Sequence, residues 1–418
     1  MKNRGVITGL GVVSPIGIGV GQFWKAALEG RSGITAIRSF DPFPMETYRS
    51  RIAGQVTDFN PSQYLEAVHA ERVDRYAQFA LTAVKEAMAD AGLRMEEETP
   101  HRVGVIVGAG VGGLLMGERE LTTLYRNQKP HRVHPNLIPM VTLNSASGIV
   151  AVAHGAKGPN LTISTACSSS AHAIGQALTC IRTGQADVVI TAGADACMTP
   201  LVFAGFCSLR ALSTGFNNDP ARASRPFDRA RDGFVMGEGA GALILESLAH
   251  ARRRKARMYA EVAGYAATSE AYHMVIPRED GVDVAATMSL ALRDAKLLPA
   301  QVDYINAHAT STPIGDAVEV GAIRRLFKSR AERVSVNATK SMVGHTLGAA
   351  GAIGAIVCAL ALDTGLVHPT VNYEDPDPDC ALPGIARETR KRPLKVALLN
   401  AFGFGSNNAA VVLKKFVR

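Results

Sequence analysis

Short runs of β-favouring apolar residues alternate along the chain with segments in which apolar residues recur every three or four positions. The runs predict strands over residues 103–110, 186–195, 241–248 and 302–310. The helical spacing predicts helices over residues 74–91, 169–183, 284–296 and 347–364. This alternation is typical of an α/β protein whose sheets are buried on both faces.

Parts of the two chain halves resemble each other. The strand-like run LTIST leads through Cys167 into an Ala-rich helix, and the run RVSVNAT leads through Lys340 and His345 into a Gly/Ala-rich helix. The run GVITGLGVVS near the start also resembles AEVAGYAATS in the second half. We therefore predict two similar halves, residues 1–255 and 256–418, although a similarity this weak does not prove a duplication.

Cys167 lies at a predicted turn between a strand and a helix. β-Favouring residues precede it, and three serines, a residue type that caps helices, follow it. The free N–H groups of a first helical turn point back at such a position, and the helix dipole lowers a cysteine pKa from about 8.5 towards roughly 3.5 to 7.5. Cys167 is therefore a candidate nucleophile. For a lone cysteine, a small buried residue at a tight turn is the more common interpretation.

Two histidines have surroundings that match this cysteine. His308 lies at the end of a predicted strand, and His345 lies just before a predicted helix. Open α/β sheets collect their ligands at the carboxyl ends of strands and the amino ends of helices. A single histidine of this kind is more often a partly buried structural imidazole. Together with Cys167, the pair predicts one catalytic site.

The composition narrows the functional classes. The 418 residues, 47% of them hydrophobic and 20% charged, suffice for about two domain-sized units with a large core. Six cysteines without a C-x-x-C pair or metal-ligand spacing indicate a reducing compartment, so we expect a cytoplasmic protein without a metal site. No apolar run reaches the roughly 20 residues of a membrane span, and the Gly-rich start with its Ser14-Pro15 break argues against a secretory signal.

The net charge of +8 is spread along the chain, and its densest run is Arg252 to Lys255 followed by Arg257. A charge run at a helix end is usually a solvated face, and only 6% of the residues are aromatic and able to stack on bases. Nucleic acid is therefore a weak candidate partner. An acidic protein that docks on a basic rim agrees equally well with the charge.

Seven motifs resemble those of one enzyme family. They are VITGLGVVSPIG near the start, TACSSS around Cys167, ALST at 211–214, SRPFDRARDGFVMGEGAG at 224–241, HATSTPIGD from His308, TKSMVGHTLGAAGA from Thr339 and NAFGFGSNN from Asn400. They cover essentially the whole chain, and their combination is highly specific. The chain resembles the β-ketoacyl-acyl-carrier-protein synthases of the thiolase superfamily, most closely the type II condensing enzymes.

The resemblance implies an α/β protein with a five-layered αβαβα thiolase-like fold and a decarboxylative condensation in two steps. Cys167 would carry an acyl group as a thioester, and the N–H groups of Cys167 and Phe404 would form an oxyanion hole. His308 and His345 would bind a malonyl thioester, assist the loss of carbon dioxide and stabilise the enolate that attacks the acyl group. Acyl carrier protein would deliver both substrates on phosphopantetheine, with no metal or organic cofactor.

Further positions match supporting residues of the family. Lys340 and Glu319 would orient the two histidines, and Phe404 would act as a gate on the acyl pocket. Thr310 and Thr312 would line the phosphopantetheine tunnel. The substrate pocket would be lined by Val111, Phe206 and Phe227. Arg210 would contact the carrier protein. The resemblance also implies a homodimer held by a strand-edge interface near the nucleophile turn.

Some positions depart from the family pattern. The usual H-G-T-S-T reads HATST here, with Ala309, and the usual second glycine after the gate phenylalanine is Ser406. Val68, His69 and Glu71 stand where lysines or arginines are common. The preferred acyl length and the cognate carrier protein therefore stay open.

Two alternatives to fatty acid elongation also stay open. One is the ketosynthase of a specialised type II polyketide or polyene pathway, which would pair with a related partner as a heterodimer. The other is a silent, chain-length-factor-like subunit. Such subunits lack the nucleophile, so the presence of Cys167, His308, His345 and Lys340 disfavours this alternative. The pair of histidines also disfavours thiolases, which use a second active-site cysteine, and plant-type synthases, which use Cys-His-Asn.

Overall fold

The computed structural model of the chain describes residues 3–38, 40, 43–66, 70 and 72–417. Its strands are β1 (Gly5–Ser14), β2 (Gly17–Ile18), β3 (Ile34–Ala36), β4 (Ile52–Gly54), β5 (Val103–Gly108), β6 (Asn160–Ile163), β7 (Val188–Asp195), β8 (Gly239–Ser247), β9 (Ala260–Ser269), β10 (Tyr304–Asn306), β11 (Ser335–Asn337), β12 (Leu366–Val367), β13 (Arg390–Lys391), β14 (Val396–Gly403) and β15 (Asn407–Lys415). Its α-helices are α1 (Val20–Leu28), α2 (Arg75–Ala91), α3 (Leu114–Asn127), α4 (Leu137–Val141), α5 (Ser145–His154), α6 (Ser169–Arg182), α7 (Pro200–Ser208), α8 (Leu248–Arg253), α9 (Val282–Asp294), α10 (Pro313–Phe327), α11 (Lys340–Val343) and α12 (Ala350–Thr364).

One mixed sheet runs through both halves of the chain. Among the described residues its strands are ordered β11-β10-β14-β15-β9-β1-β8-β7-β5-β6, and β2 pairs with β1 as an eleventh strand. In each half one strand is parallel to both its neighbours, namely β5 and β10. The halves meet where β1 and β9 pair antiparallel, with Val6 opposite Glu261. The predicted division after residue 255 falls between α8 and β9, and as a domain boundary it stays a prediction.

The helices and the two halves of the sheet form five layers, which pack together through three apolar cores. The central core surrounds α6 and α12, between the two halves of the sheet. A second core packs α2 and α5 against the outer face of the N-terminal half, and a third packs α9 and α10 against the outer face of the C-terminal half. Residues alternate accordingly along β15, where Val411 and Leu413 face the central core while Ala410 and Val412 face the outer one. The predicted αβαβα fold is confirmed.

The two central helices approach each other closely. Ser170 Oγ accepts a hydrogen bond from the Ala352 N–H at 2.8 Å, and a Cβ on Gly351 would lie only 2.6 Å from the Ala171 nitrogen. In the part of the chain that the structure describes, one segment, Leu347–Thr364, is long and apolar enough to cross a membrane, and it is mostly buried inside the protein. It is apolar all round because the sheet covers it on two sides.

The predicted strands and helices are found, and the largest correction is to one strand. The strand expected to include His308 ends earlier, at Asn306. The N–H groups of His308 and Ala309 donate to the Glu319 carboxylate, at 2.9 and 2.7 Å, instead of to a neighbouring strand. The chain then turns through positive φ at Ala309 and Ser311. The buried Glu319 side chain from α10 thus takes the place of the hydrogen bonds between strands, and the strand ends there.

Candidate active site

A cavity of about 420 Å³ brings the candidate residues together. Cys167 from the N-terminal half and His308 and His345 from the C-terminal half all line it. The other predicted residues on its wall are Phe206, Arg210, Thr310, Thr312, Glu319 and Phe404. The cavity therefore brings a thiol of the N-terminal half together with the two predicted imidazoles and the predicted carboxylate of the C-terminal half.

Cys167 lies in the turn between β6 and α6. Its neighbour Ala166 has positive φ, and α6 begins two residues after the cysteine, at Ser169. The backbone N–H groups of Cys167 and Phe404 both lie near enough to the sulfur to favour its thiolate form. These are the two groups that the sequence predicts for the oxyanion hole, so their convergence at one point supports that prediction.

Burial controls the protonation state of this cysteine. It is the main cause that raises the pKa of the Cys167 thiol to about 12, although the Lys340 ammonium and the Phe404 N–H act in the opposite direction. The low pKa predicted from the helix dipole is therefore wrong, because the loss of hydration outweighs the first turn of α6. At neutral pH Cys167 rests as a thiol, and its proton must leave when the sulfur attacks.

The two histidines lie edge to face, with ring centroids 5.4 Å apart. The ring of Phe402 lies 5.5 Å from His308, and that of Phe234 lies 5.4 Å from His345. Burial lowers the pKa of both imidazoles well below the usual value, and the charge of Lys340 lowers it further. Both rings are therefore neutral at physiological pH, and each has one N–H to donate and one nitrogen that can accept.

Lys340 and Glu319 hold the segment that carries His308. The Lys340 ammonium donates to the His308 carbonyl oxygen at 2.6 Å and lies 3.5 Å from its Nδ1. Glu319 accepts from the backbone N–H groups of His308 and Ala309, and from the Asn400 side chain at 2.9 Å. Burial lowers the pKa of Lys340 to about 8, while the charge of Glu319 opposes that shift. These contacts agree with the positioning roles predicted for both residues.

A buried ion-pair network holds the loop between His308 and α10. Arg231 donates to the carbonyl oxygen of Thr312 at 3.1 Å and to the Asp377 carboxylate at 2.6 Å. Thr312 also caps α10, and its hydroxyl lies 3.0 Å from that of Thr310. The arginine-rich motif that contains Arg231 thus supports the loop on which the two predicted tunnel threonines stand.

Two of the departures from the family pattern, Ala309 and Ser406, fall where the backbone favours glycine. Ala309 has φ 32° and Ser406 has φ 63°, in the left-handed region. Ser406 Oγ donates to the His273 carbonyl oxygen at 3.0 Å, and His273 itself lines the cavity. The loop that carries Phe404 is therefore hydrogen-bonded to a second segment of the cavity wall.

The three residues predicted to line the substrate pocket lie in three different environments. Phe206 lines the cavity, with its ring centroid 6.4 Å from that of Phe404. Val111 packs in the same apolar cluster as Cys167 but is not among the described residues of the cavity wall. Phe227 is fully buried in the outer core of the C-terminal half, so its predicted substrate contact is wrong. The sequence pattern did not distinguish a buried aromatic ring from one that faces the cavity.

Arg210, the predicted carrier-protein contact, is exposed and lines the cavity. A docked partner would therefore reach it. Val68, His69 and Glu71, where the basic cluster is thinned, lie outside the described residues.

Sequence reasoning missed several residues of the site. Phe234, Asn400 and Phe402 contact the histidines or Glu319, and residues 275–277 form part of the cavity wall. The first three lie inside recognised motifs, which were a signal of importance but not of orientation. Residues 275–277 belong to no recognised motif, so the sequence contained no signal for them.

The cysteines and acidic residues form no metal centre in the described ranges, since no group of three or more His, Cys, Asp or Glu side chains is arranged to hold an ion. All six cysteines are buried free thiols.

Two family models match the chain, Beta-ketoacyl synthase, N-terminal domain, over residues 2–251 and Beta-ketoacyl synthase, C-terminal domain, over residues 259–374. The chain belongs to the β-ketoacyl synthase family. The family membership predicted from the motifs is thereby confirmed. Cys167 lies in the region matched by the first model, and both histidines lie in the region matched by the second.

Curated relatives of this β-ketoacyl synthase match it over its whole length. The 3-oxoacyl-[acyl-carrier-protein] synthase 2 of Synechocystis sp. is 44% identical over 415 residues, and that of Coxiella burnetii is 42% identical over 414 residues. The corresponding protein of Staphylococcus aureus is 43% identical over 415 residues, and in each case 99% of both chains is covered. The chain is therefore a condensing acyltransferase of the 3-oxoacyl-[acyl-carrier-protein] synthase class, as predicted.

Solved structures of ketosynthases have the same fold. A type II polyketide ketosynthase, solved with its acyl-carrier protein and bound to a hexaketide, is 36% identical with a TM-score of 0.93. The ishigamide ketosynthase/chain length factor and a β-ketoacyl synthase from Burkholderia phymatum are each 33% identical with TM-scores of 0.92. All three comparisons cover 100% of both chains.

Proposed function

We propose that this β-ketoacyl synthase elongates fatty acyl chains by joining the malonyl group of a carrier protein to an acyl group held on Cys167. The observation that carries the proposal is the single cavity in which the Cys167 sulfur, two backbone N–H donors and two neutral histidines converge. The relatives named 3-oxoacyl-[acyl-carrier-protein] synthase 2, at 42–44% identity, support the fatty acid pathway.

The first half-reaction transfers the acyl group to Cys167. Its sulfur attacks the thioester carbonyl, a C–S bond forms, and the bond to the phosphopantetheine sulfur breaks. The proton of the Cys167 thiol ends on the phosphopantetheine thiol that leaves. The N–H groups of Cys167 and Phe404 bind the oxygen on which negative charge develops, and each such donor is worth about 2.7–4 kcal/mol.

The second half-reaction forms the new carbon–carbon bond. The bond to the malonyl carboxylate breaks, carbon dioxide leaves, and the electron pair forms an enolate whose oxygen accepts N–H bonds from His308 and His345. The enolate carbon attacks the acyl carbonyl on Cys167, and the C–S bond breaks. The Lys340 charge, which lowers the pKa of Cys167, stabilises the thiolate that is released, and a solvent proton restores the thiol.

Acyl carrier protein is the partner that we propose. One similar ketosynthase has been solved in complex with its acyl-carrier protein. Arg210 offers an exposed basic contact on the cavity wall, and Thr310 and Thr312 line the same cavity, where they would offer polar contacts to the amides of a phosphopantetheine arm. An acidic carrier that docks beside Arg210 would thus deliver its arm towards Cys167.

Two expectations about the chemistry and the compartment stay predictions. The scheme uses only groups of the chain and of its carrier-bound substrates, so a chelator is expected to leave the rate unchanged. The cytoplasmic location rests on the sparse cysteines, which are all free thiols.

We propose a homodimer that pairs through β6. This strand is an edge of the sheet, its residues Asn160 and Leu161 are exposed, and Val152 on the neighbouring α5 is 74% exposed. An unpaired strand edge with exposed apolar side chains favours pairing with another copy. Leu161→Arg should convert the dimer to monomer in light scattering, while Leu298→Arg, at an exposed apolar residue of the other half, should not. A monomeric wild type would contradict the proposal.

A second candidate function is a ketosynthase of a specialised polyketide pathway. It is favoured by the structural similarity to a polyketide ketosynthase and to the ishigamide ketosynthase/chain length factor. Their sequence identities, 36% and 33%, are lower than those of the curated fatty acid relatives.

Intact-mass spectrometry separates the two candidates. The purified protein is exposed to acyl-carrier-protein thioesters from C2 to C16 and then to malonyl-carrier protein. Elongation by fatty acid chemistry predicts acylation of Cys167 by ordinary saturated chains, followed by release of a product two carbons longer. Acylation only by unusual or unsaturated primers, or only after a second subunit is added, would overturn it in favour of the specialised pathway.

A further inference from the structure

Asp195 is a buried carboxylate that the proposed reaction does not use. It is the last residue of β7 and has no accessible surface. Its Oδ2 accepts from the N–H groups of Gly110 and Gly348 at 2.9 and 2.7 Å. Its Oδ1 accepts from those of Val111 and Gly112 at 2.9 and 3.3 Å. One side chain thus fixes four backbone groups on two separate segments.

The two segments border different parts of the site. The segment 110–112 follows β5, and its middle residue packs in the apolar cluster that contains Cys167. Gly348 lies three residues after His345. The segments touch, since a Cβ on Gly348 would lie only 2.5 Å from the Gly110 nitrogen. No side chain fits between them, so a shift of one segment must move the other.

We propose that Asp195 is a positioning residue that couples the apolar cluster beside Cys167 to His345, so that a long acyl chain on Cys167 and the decarboxylation of the malonyl group depend on one carboxylate. A chain that presses on segment 110–112 also acts on the backbone that follows His345. The inference rests on the proposed function, because it assigns the acyl group to Cys167 and decarboxylation to the histidines.

The charge of Asp195 affects the pKa of Cys167, so the proposal can be tested on the thiol without a substrate. Burial raises the pKa of Asp195 to about 6, so the carboxylate is charged at neutral pH. That charge contributes, after burial, to raising the pKa of Cys167, Cys197 and Tyr76, while Lys340 lowers that of Cys167. Loss of the Asp195 charge must therefore lower the pH at which Cys167 becomes reactive.

The test is Asp195→Asn, which keeps the shape, removes the charge and places an NH₂ group against backbone donors. Decarboxylation of malonyl-carrier protein should slow by about tenfold. The loss should be larger when Cys167 carries a C16 acyl group than when it carries a C4 group. The rate of acylation by the C4 primer should stay within about twofold of the wild-type rate. The midpoint of the pH profile for iodoacetamide alkylation of Cys167 should fall. Asp195→Glu keeps the charge and should leave that midpoint in place.

Equal losses of acylation and decarboxylation at every chain length, or an unchanged alkylation midpoint in Asp195→Asn, would overturn the proposal. If that variant does not fold, Gly348→Ala tests the coupling, because its Cβ would lie 2.5 Å from the Gly110 nitrogen and 2.6 Å from Asp195 Oδ2 and so forces the segments apart while the carboxylate keeps its charge. It should slow decarboxylation and keep the alkylation midpoint, and a wild-type rate would overturn the proposal. Gly148→Ala, whose Cβ meets nothing within 4 Å, is the matched control. Failure of the proposed function would be seen separately, as a wild type that forms no acyl-enzyme.

Discussion

The two halves of the molecule each present a strand, a turn and a helix to one cavity, but the turns differ. In the N-terminal half, β6 leads through Cys167 directly into the uninterrupted helix α6. In the C-terminal half, β11 is followed by the short helix α11, a glycine at φ 70°, His345 and a 3₁₀ turn before α12 begins. The second connection is longer and broken in the middle.

This difference separates two chemical tasks. The short turn places one sulfur where two N–H groups converge. The broken turn brings Lys340, the first residue of α11, and His345, two residues after its end, to the same buried site. Gly344 makes this possible because a Cβ there would lie 2.9 Å from the Val235 carbonyl oxygen. The N-terminal half therefore offers the bond-forming atom, and the C-terminal half offers the charge and hydrogen bonds around it.

The largest expected effect tests the N-terminal turn. Cys167→Ala should abolish acyl-enzyme formation, a loss of more than about 10³-fold in turnover, because no other group provides the covalent step. Intact-mass spectrometry after exposure to acyl-carrier protein measures it. Cys180→Ala, at a buried cysteine of α6, is the matched control and should still acylate. A Cys167→Ala protein that still traps acyl groups would contradict the assignment of the nucleophile.

The next effect tests the C-terminal turn. His345→Ala should slow decarboxylation of malonyl-carrier protein by about 10²–10³-fold, the usual cost of one lost oxyanion donor, and leave acylation of Cys167 largely intact. His345→Asn keeps an N–H donor and should recover part of the rate. Release of carbon dioxide and the acyl-enzyme mass are measured on the same samples. If acylation alone is lost, the division of tasks between the halves is reversed.

A smaller effect tests the charge that links the halves. Lys340 is charged below its pKa of about 8 and then lowers the pKa of Cys167. Lys340→Met should therefore slow the alkylation of Cys167 at neutral pH, where a thiol pKa higher by about one unit means a thiolate fraction about tenfold smaller. The deficit should be largest below pH 8 and shrink above it, where wild-type Lys340 is itself neutral. Lys157→Met, at an exposed lysine, is the control, and superimposable profiles for Lys340→Met and wild type would contradict the coupling.

The smallest expected effect concerns the loop of Phe404. Ser406→Gly removes the hydrogen bond to His273 and relieves the positive φ, so extension of C14–C16 primers should change by about two- to tenfold relative to C4–C6 primers. Ser406→Ala removes the hydrogen bond and keeps the unfavourable φ, which separates the two causes. Identical chain-length profiles for all three proteins would remove the argument for a gate.

Much of the fold was accessible from the sequence because its signals are local. The alternation of apolar runs identified four strands and four helices across the two halves, although the strand predicted over 103–110 ends at Gly108 and the strand before His308 was drawn four residues too long at its end. It ends at Asn306 because Glu319, from a helix that follows, takes over the backbone donors of His308 and Ala309. No local pattern contains that contact.

For the site, too, some features follow from local sequence and others depend on contacts between distant parts of the chain. The sequence by itself determined which chemical groups are present, since Cys167, His308, His345 and Lys340 stand in recognisable motifs. Only the tertiary structure decided how they are protonated, because burial, which depends on every layer, raises the pKa of Cys167 and lowers those of the other three. It also decided that Asp195 holds two distant segments together, because four donors can converge on one carboxylate only after the chain has folded.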